Sequence, residues 1–361
     1  MGCKPRTEGP VKMKKAYLVL QNGRIFEGKR FGADGDTVGE LIFSTGVVGY
    51  MELLTKPAAA GQIIVGTFPV TGCYGTQSED EQSDVTPAAF IVRSVCETPS
   101  NFRSEGTLAD WMEKKGIVGL CDIDTRALTA IIRDEGAQIA AVSDSADAAL
   151  ALIDGFKGLP VGAGCKEGYT VKAENEKFKV TLVDLGVEKY VINELTKLGC
   201  TVKVVPQSTT ATEILADKPD GVFISDGPGD PTDNKDLLRV LAGLLGKVPV
   251  FAVGLGHLAA ALALGGKLVT LKSGHHGANQ PVAYLKGTRT YITTQHHRLA
   301  VDAESLRGKG MPLFVNRNDN TNEGMEYAVF NAMTVAFSPD KVTSHQDTGF
   351  LFKKFIEMME G

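Results

Sequence analysis

Hydrophobic and polar positions follow two different rhythms along this chain of 361 residues. Between residues 14 and 155 the apolar positions come in short strand-like runs. Tyr17-Leu-Val-Leu20 and Arg24-Ile-Phe26 flank Gln21-Asn22-Gly23, which predicts a hairpin with a tight turn. Further strands are predicted at Leu41–Phe43, Gln62–Val65 and Ala89–Arg93. Helices are predicted at Thr107–Lys115 and Thr125–Glu135, the second ended by Gly136. This half reads as an α+β domain. Residues 156–177 show little periodicity and hold Gly158, Pro160, Gly162, Gly164 and Gly168, the texture of a linker.

From 178 to 361 strand and helix patterns alternate. Strands are predicted at Phe178–Asp184, Val202–Pro206 and Gly221–Ser225, and helices at Lys189–Leu198, Thr209–Leu215 and Asp233–Leu245. That order predicts a parallel sheet with helices on both faces, whose sites lie at the carboxyl ends of the strands. The turn Asp226-Gly-Pro-Gly-Asp-Pro231 falls there. So does Gly254, which follows the buried run Val248–Val253 and precedes Leu255-Gly-His257 and the apolar run Leu258–Leu264. Strand, glycine turn and helix make the backbone of a nucleophile elbow. Such an elbow holds one reactive side chain at the positive end of a helix, beside N–H groups able to hold an oxyanion. Gly254 stands at the apex and has no side chain. The expectation is a catalytic architecture without its nucleophile.

Composition narrows the classes. Hydrophobic residues at 43% with 22% charged describe a folded globular chain rather than a disordered one. A net charge of -5 with dispersed Lys and Arg gives no nucleic-acid surface. No apolar run approaches the roughly 20 residues that span a bilayer, and the first residues lack a secretory h-region. A cytoplasmic protein with neither nucleic acid nor membrane as partner is expected. The six cysteines, Cys3, Cys73, Cys96, Cys121, Cys165 and Cys200, are scattered without a C-x-x-C pair and fit reduced thiols.

Over almost its whole length the chain resembles the small subunit of carbamoyl-phosphate synthetase. Phe26-Glu-Gly28, Gly39-Glu40, Gly49-Tyr50, Glu52, Gly61-Gln62, Tyr74-Gly75 and Asp122-Ile-Asp-Thr-Arg126 carry the resemblance in the first half. In the second half Ser225-Asp-Gly-Pro-Gly-Asp-Pro231, Leu255-Gly-His257 and Gly274-His-His-Gly-Ala-Asn279 are similar to a class I glutamine amidotransferase domain. The resemblance implies an α/β chain: a small-subunit domain over 14–155, a linker over 156–177, and a flavodoxin-like amidotransferase domain over 178–361. It also implies glutamine hydrolysis by a Cys-His-Glu triad, with ammonia passed to a large ATP-using subunit. Thiolate attack divides the reaction into two steps through a glutamyl thioester.

At the matching positions the family's residues are replaced. The Cys of G-x-C-L-G-H-Q is Gly254, and the His and Glu of F-H-P-E are Ser338 and Asp340. Among the glutamine-binding positions the first-half Ser is Gly46, and the Gln after the elbow His is Leu258. The N-H-G-F segment reads His296-His297-Arg298-Leu299, the Lys of G-x-K is Glu188, and the Asn of S-N-G-P-G is Asp226. The Gly227–Gly229 turn and the Leu255 N–H remain, and they are expected to keep the oxyanion hole. His275, His276, His296 and His297 raise a metal site, but three of them match family histidines in proteins without one, so neither metal nor cofactor is expected. His257 is expected to be structural, and His345 to lie on the surface. Three functions stay open. The chain is a non-hydrolytic scaffold or regulatory subunit for a large synthetase subunit, an active glutaminase subunit of the pyrimidine or arginine pathway, or a binding module that uses the vacated pocket for another ligand.

Overall fold

The computed structural model describes residues 14–339 and 348–361. It divides into two compact units, Met1–Leu159 and Pro160–Gly361. In the first unit β1 (Lys15–Leu20), β2 (Ile25–Gly32), β3 (Thr37–Ser44), β4 (Gln62–Gly66), β6 (Ala89–Ile91), β8 (Val118–Cys121) and β9 (Gln138–Ser143) close a barrel, in the order β1-β2-β8-β6-β4-β3-β9. A short parallel pair, β5 (Val70–Thr71) and β7 (Ser94–Val95), lies beside it in sequence. The helices are α1 (Tyr50–Leu54), α2 (Leu108–Lys115), α3 (Thr125–Glu135) and α4 (Ala146–Asp154).

Residue alternation builds this barrel. Leu18, Leu20, Leu41, Ile63, Val65, Ile91 and Leu120 share one buried cluster with Leu128 and Ile132 of α3. The opposite-facing Ile42, Ile64 and Phe90 pack against Met51 and Leu54 of α1 and Leu108 and Met112 of α2. The predicted hairpin forms between β1 and β2. Its loop is Gln21-Asn22-Gly23: Leu20 and Gly23 bond back across it, and Gly23 takes φ 83. That is the three-residue loop with a left-handed last position, one residue longer than the two-residue form. Both predicted helices are present. Thr107 accepts from the Asp110 N–H and Asp124 from the Ala127 N–H, satisfying amides that helix starts leave open.

The second unit is built on one ten-stranded sheet, ordered β10-β12-β11-β13-β14-β19-β18-β17-β15-β16. Its strands are β10 (Tyr169–Val171), β11 (Phe178–Asp184), β12 (Cys200–Pro206), β13 (Gly221–Ile224), β14 (Val250–Val253), β15 (Lys267–Tyr284), β16 (Thr290–Asp302), β17 (Met311–Asn316), β18 (Asn322–Tyr327) and β19 (Ala332–Val335). From β12 to β19 the neighbours run parallel, as the alternating pattern predicts. The remaining strands pair antiparallel and extend the sheet. Strand β10 lies inside the segment expected as a linker. The helices are α5 (Lys189–Lys197), α6 (Ala211–Ala216), α7 (Lys235–Leu244), α8 (Leu255–Ala263) and α9 (Phe350–Glu360). Two apolar clusters line the parallel strands: Val222, Ile224, Val250 and Ala252 pack with α7 and α8, while Phe223, Phe251 and Val253 pack with Leu351, Phe352 and Phe355 of α9. Alternate residues of one strand thus face helices on both sides, the arrangement that buries a parallel sheet.

Candidate functional site

The carboxyl ends of β11, β13, β14 and β19 are neighbours in the sheet, so their following turns meet along one edge. Gly254 makes the turn from β14 into α8 at φ 54 and ψ -114, and its N–H donates to Val335 O at 2.9 Å. Side-chain-bearing residues rarely adopt this backbone, and elbows hold their nucleophiles in such strained turns. Gly254 makes the turn with no side chain.

The space that a side chain there would need is filled. A Cβ on Gly254 would lie 1.9 Å from Asp226 Oδ1 and 2.1 Å from its Cγ. The same oxygen accepts from the Leu255 N–H at 2.9 Å and from the Gly227 N–H at 2.8 Å. The Leu255 N–H and the Gly227–Gly229 turn are the groups expected from the sequence to keep the oxyanion hole. That expectation is corrected: a carboxylate of the chain itself occupies them. The choice is electrostatically sound, because Leu255 opens α8 and a negative charge at a helix N-terminus is favoured. Ser225 fixes the base of the turn, accepting from the Leu185 N–H at 2.9 Å and donating to Asp226 O at 2.9 Å. Gly227 has room for no side chain, since a Cβ would meet Leu185 O at 2.4 Å; Gly229 sits at φ 98.

Ser338 is buried past the end of β19, where its N–H donates to Thr294 O at 3.0 Å. Its hydroxyl lies 3.5 Å from Oε1 of buried Glu188, a contact at the outer limit of a hydrogen bond. Asp340 and His345 lie outside the described residues. Leu258 and Leu299 belong to the apolar cluster between sheet and helices. Arg298 pairs with Asp230 at 3.0 Å. His296 lies opposite His276 in the β15–β16 register, with ring centroids 4.9 Å apart. Gly46 is in the first unit, where its N–H lies 3.4 Å from Ser44 Oγ.

Among the described residues, no thiol on this edge is primed for attack. The Cys165 N–H donates to Asp184 Oδ2 at 2.8 Å, which places it at the end of β11, two strand positions from β14. Two strand spacings are roughly 10 Å. Burial, reinforced by Asp184, pushes the Cys165 thiol up to about 11, so it is protonated at neutral pH.

The histidines divide into two groups. His257 in α8 is fully buried, with Nδ1 2.7 Å from Thr334 Oγ1. Burial, with the nearby His297, lowers its pKa to about 3, so it is a neutral core residue. His275 and His297 face Glu323, which sequence reading did not single out. Their ligand-type atoms and a Glu323 oxygen lie within 4.8 Å of one another. Nδ1 of His275 is 2.9 Å from Glu323 and Nε2 is 2.8 Å from Asp319, so both ring nitrogens meet carboxylates. His297 Nδ1 bonds Leu299 O and Nε2 meets Glu323 at 3.2 Å. Asn316 Nδ2 is 3.2 Å from Glu323 Oε1, which puts an amide donor at the point where a cation would bind. Burial works to raise the Glu323 pKa, yet His297 and His275 hold it down at about 2. Burial opposes charge on His275 too, but Glu323 and Asp319 outweigh it and raise its pKa. The donor set fits a proton-filled ion network better than a metal.

Residues 159–358 match the family model for glutamine amidotransferase class-I, which defines the class of the elbow-bearing domain. Residues 18–142 match the carbamoyl-phosphate synthase small chain, CPSase domain. The chain is 39% identical over 368 residues to the carbamoyl phosphate synthase small chain of Syntrophotalea carbinolica, covering 96% of this chain and 98% of that one. It is 40% identical over 358 residues to the small chain of Listeria monocytogenes, with 97% and 98% covered. Against the chloroplastic small chain of Oryza sativa the identity is 36% over 374 residues, with 97% and 83% covered. The chain belongs to the carbamoyl-phosphate synthase small-chain family. Among the described residues no helix is long and apolar enough to cross a membrane.

Proposed function

We propose that this chain is a small-chain homologue that does not hydrolyse glutamine and acts as a scaffold or regulatory subunit for a large, ATP-using synthetase subunit fed with free ammonia. One observation carries the reading: the elbow apex is a glycine, and Asp226 sits on the amides an oxyanion would need. Acyl transfer by this class of site requires a nucleophile and a preorganised oxyanion hole together. Loss of a nucleophile alone costs about 10^6 in kcat in a well-studied triad enzyme. Ser338 supports the same reading, because a hydroxyl does not accept a proton near neutral pH as an imidazole does. The first unit keeps the small-subunit motifs, including Asp122-Ile-Asp-Thr-Arg126, while the elbow has lost its chemistry. A cytoplasmic location belongs to this proposal. Incubating the purified chain with glutamine, alone and with a large subunit, should release no ammonia above a control preparation lacking it. Sustained release that co-purifies with the chain would establish the active-glutaminase reading instead.

A further inference from the structure

A pair of nucleophilic side chains outside the elbow lies in the first unit. The β5–β7 pair sets Thr71 opposite Val95, and the Cys96 N–H continues that ladder to Thr71 O at 2.8 Å. Gly72 turns the chain at φ 95, and a Cβ on it would lie 3.7 Å from Cys96 Cβ. Cys73 follows, its thiol donating to Val70 O at 3.7 Å and lying near enough to the Cys96 thiol for the two to interact. Cys73 is exposed and Cys96 half-buried. Two neighbouring thiols, one of them open to solvent, can serve as reactants of thiol–disulfide exchange.

The next residue, Tyr74, gives the pair a structural consequence. Its ring stacks on Tyr50 with centroids 4.2 Å apart. Its hydroxyl accepts from the Gly49 and Tyr50 N–H groups at 2.8 and 3.1 Å. Tyr74 therefore ties down the end of the segment that runs from β3 to α1 and contains Gly46.

We propose that Cys73 and Cys96 form a redox-modification site, converted to an intramolecular disulfide by an oxidised low-molecular-weight thiol, and that this bond tightens the Tyr74 anchor of the Gly46 segment. The Cys73 thiolate attacks one sulfur of glutathione disulfide, forms a mixed disulfide and releases a first glutathione thiolate. Cys96 gives its proton to water and attacks the Cys73 sulfur, breaking the mixed bond and releasing the second glutathione. Two protein thiols are oxidised, and one small disulfide is reduced to two thiols. Burial, and then the neighbouring Cys96, raise the Cys73 thiol above its ordinary pKa, so the exchange is faster in mild alkali than at neutrality.

The full chain is incubated with glutathione disulfide near about pH 8.5, where the thiolate fraction rises, and then digested without reduction. The expected result is a mass lower by about 2 Da, the two hydrogens lost in forming one disulfide, and a peptide linking Cys73 to Cys96. Cys73→Ser and Cys96→Ser should each abolish that link. Amide exchange at Gly49 and Tyr50 should slow in the oxidised wild type and not in either variant. A stable glutathione adduct on wild-type Cys73, an unchanged mass, or a link to another cysteine would overturn the site. A correct link with unchanged exchange at Gly49 and Tyr50 would overturn its coupling to the Gly46 segment.

Discussion

Replacing Gly254 by cysteine puts a Cβ 1.9 Å from Asp226 Oδ1, a separation that no pair of atoms tolerates. Asp226 must then leave the Leu255 and Gly227 amides, which it holds at 2.9 and 2.8 Å. Losing hydrogen bonds to a charged acceptor costs about 1.5–3 kcal/mol. Holding a side-chain-bearing residue at φ 54 and ψ -114 adds about 1–3 kcal/mol of backbone strain. Gly254→Cys should therefore destabilise the second unit by about 2.5–6 kcal/mol. For a domain of this size that lowers Tm by about 5–24 °C. Asp226→Ala empties the contested space, so in its background the cysteine should cost only the backbone strain. A double-mutant cycle read by thermal unfolding should show a favourable coupling of about 1.5–3 kcal/mol between the two positions. The assay is circular dichroism or calorimetry on the four proteins at one pH and protein concentration. A Gly254→Cys variant that melts with the parent, or strictly additive losses in the double variant, would refute the claim that the carboxylate fills the apex.

Acid should weaken the fold through buried groups with depressed pKa values. His257 binds a proton below about 6.5 when unfolded but only near 3 when folded, so its contribution is lost as pH falls from 6.5 towards 3. Glu323 adds a loss as pH falls from 4.5 towards 2, whereas the raised pKa of His275 stabilises below 6.5 and fades as pH rises through its folded value. Denaturant titrations should give lower stability at pH 5 than at pH 7, with a smaller difference in His257→Gln; an unchanged difference would remove His257 as the cause. Glu323→Gln removes the buried carboxylate that pairs with His275 and His297 and should cost about 3–5 kcal/mol. A loss below about 1 kcal/mol, the range of an exposed ion pair, would show that the network is not held by charge.

The alternating half of the fold is legible because each parallel strand is a short apolar run bounded by turn residues and followed by a periodic helix. Phe178–Asp184 and the pair formed by β14 and α8 are read with little error for that reason. The barrel is not legible. Its closure depends on β8 and β9, runs of four and six residues that look like helix flanks until β8 pairs with β2 and β6, and β9 with β1 and β3. Strand β15 defeats pattern reading in another way. It carries glycines and histidines through 18 residues, with register shifts between Thr270 and His275 and between Gly277 and Gln280. At the site, the glycine at the elbow apex, Gly254, is plain in sequence, but the role of Asp226 is not. The sequence clue is the pairing of a glycine at the apex, Gly254, with an Asp at 226 where the resembled family has Asn. Its meaning is spatial, because the Asp226–Leu255 bond spans 29 positions. Glu323 is hidden for the same reason, since nothing in its strand marks it as the partner of His275 and His297.

In the proposed role this chain supports a synthetase without supplying it with nitrogen from glutamine. The direct measurement is carbamoyl phosphate formation by this chain mixed with its own large subunit, co-elution being checked in the same preparation. ATP and bicarbonate are supplied, and glutamine or ammonium is the nitrogen donor. The expected result is a stable complex that makes product from ammonium and none above background from glutamine. Product from glutamine at a rate comparable to that from ammonium would contradict it, and so would failure of the two chains to associate at micromolar concentration.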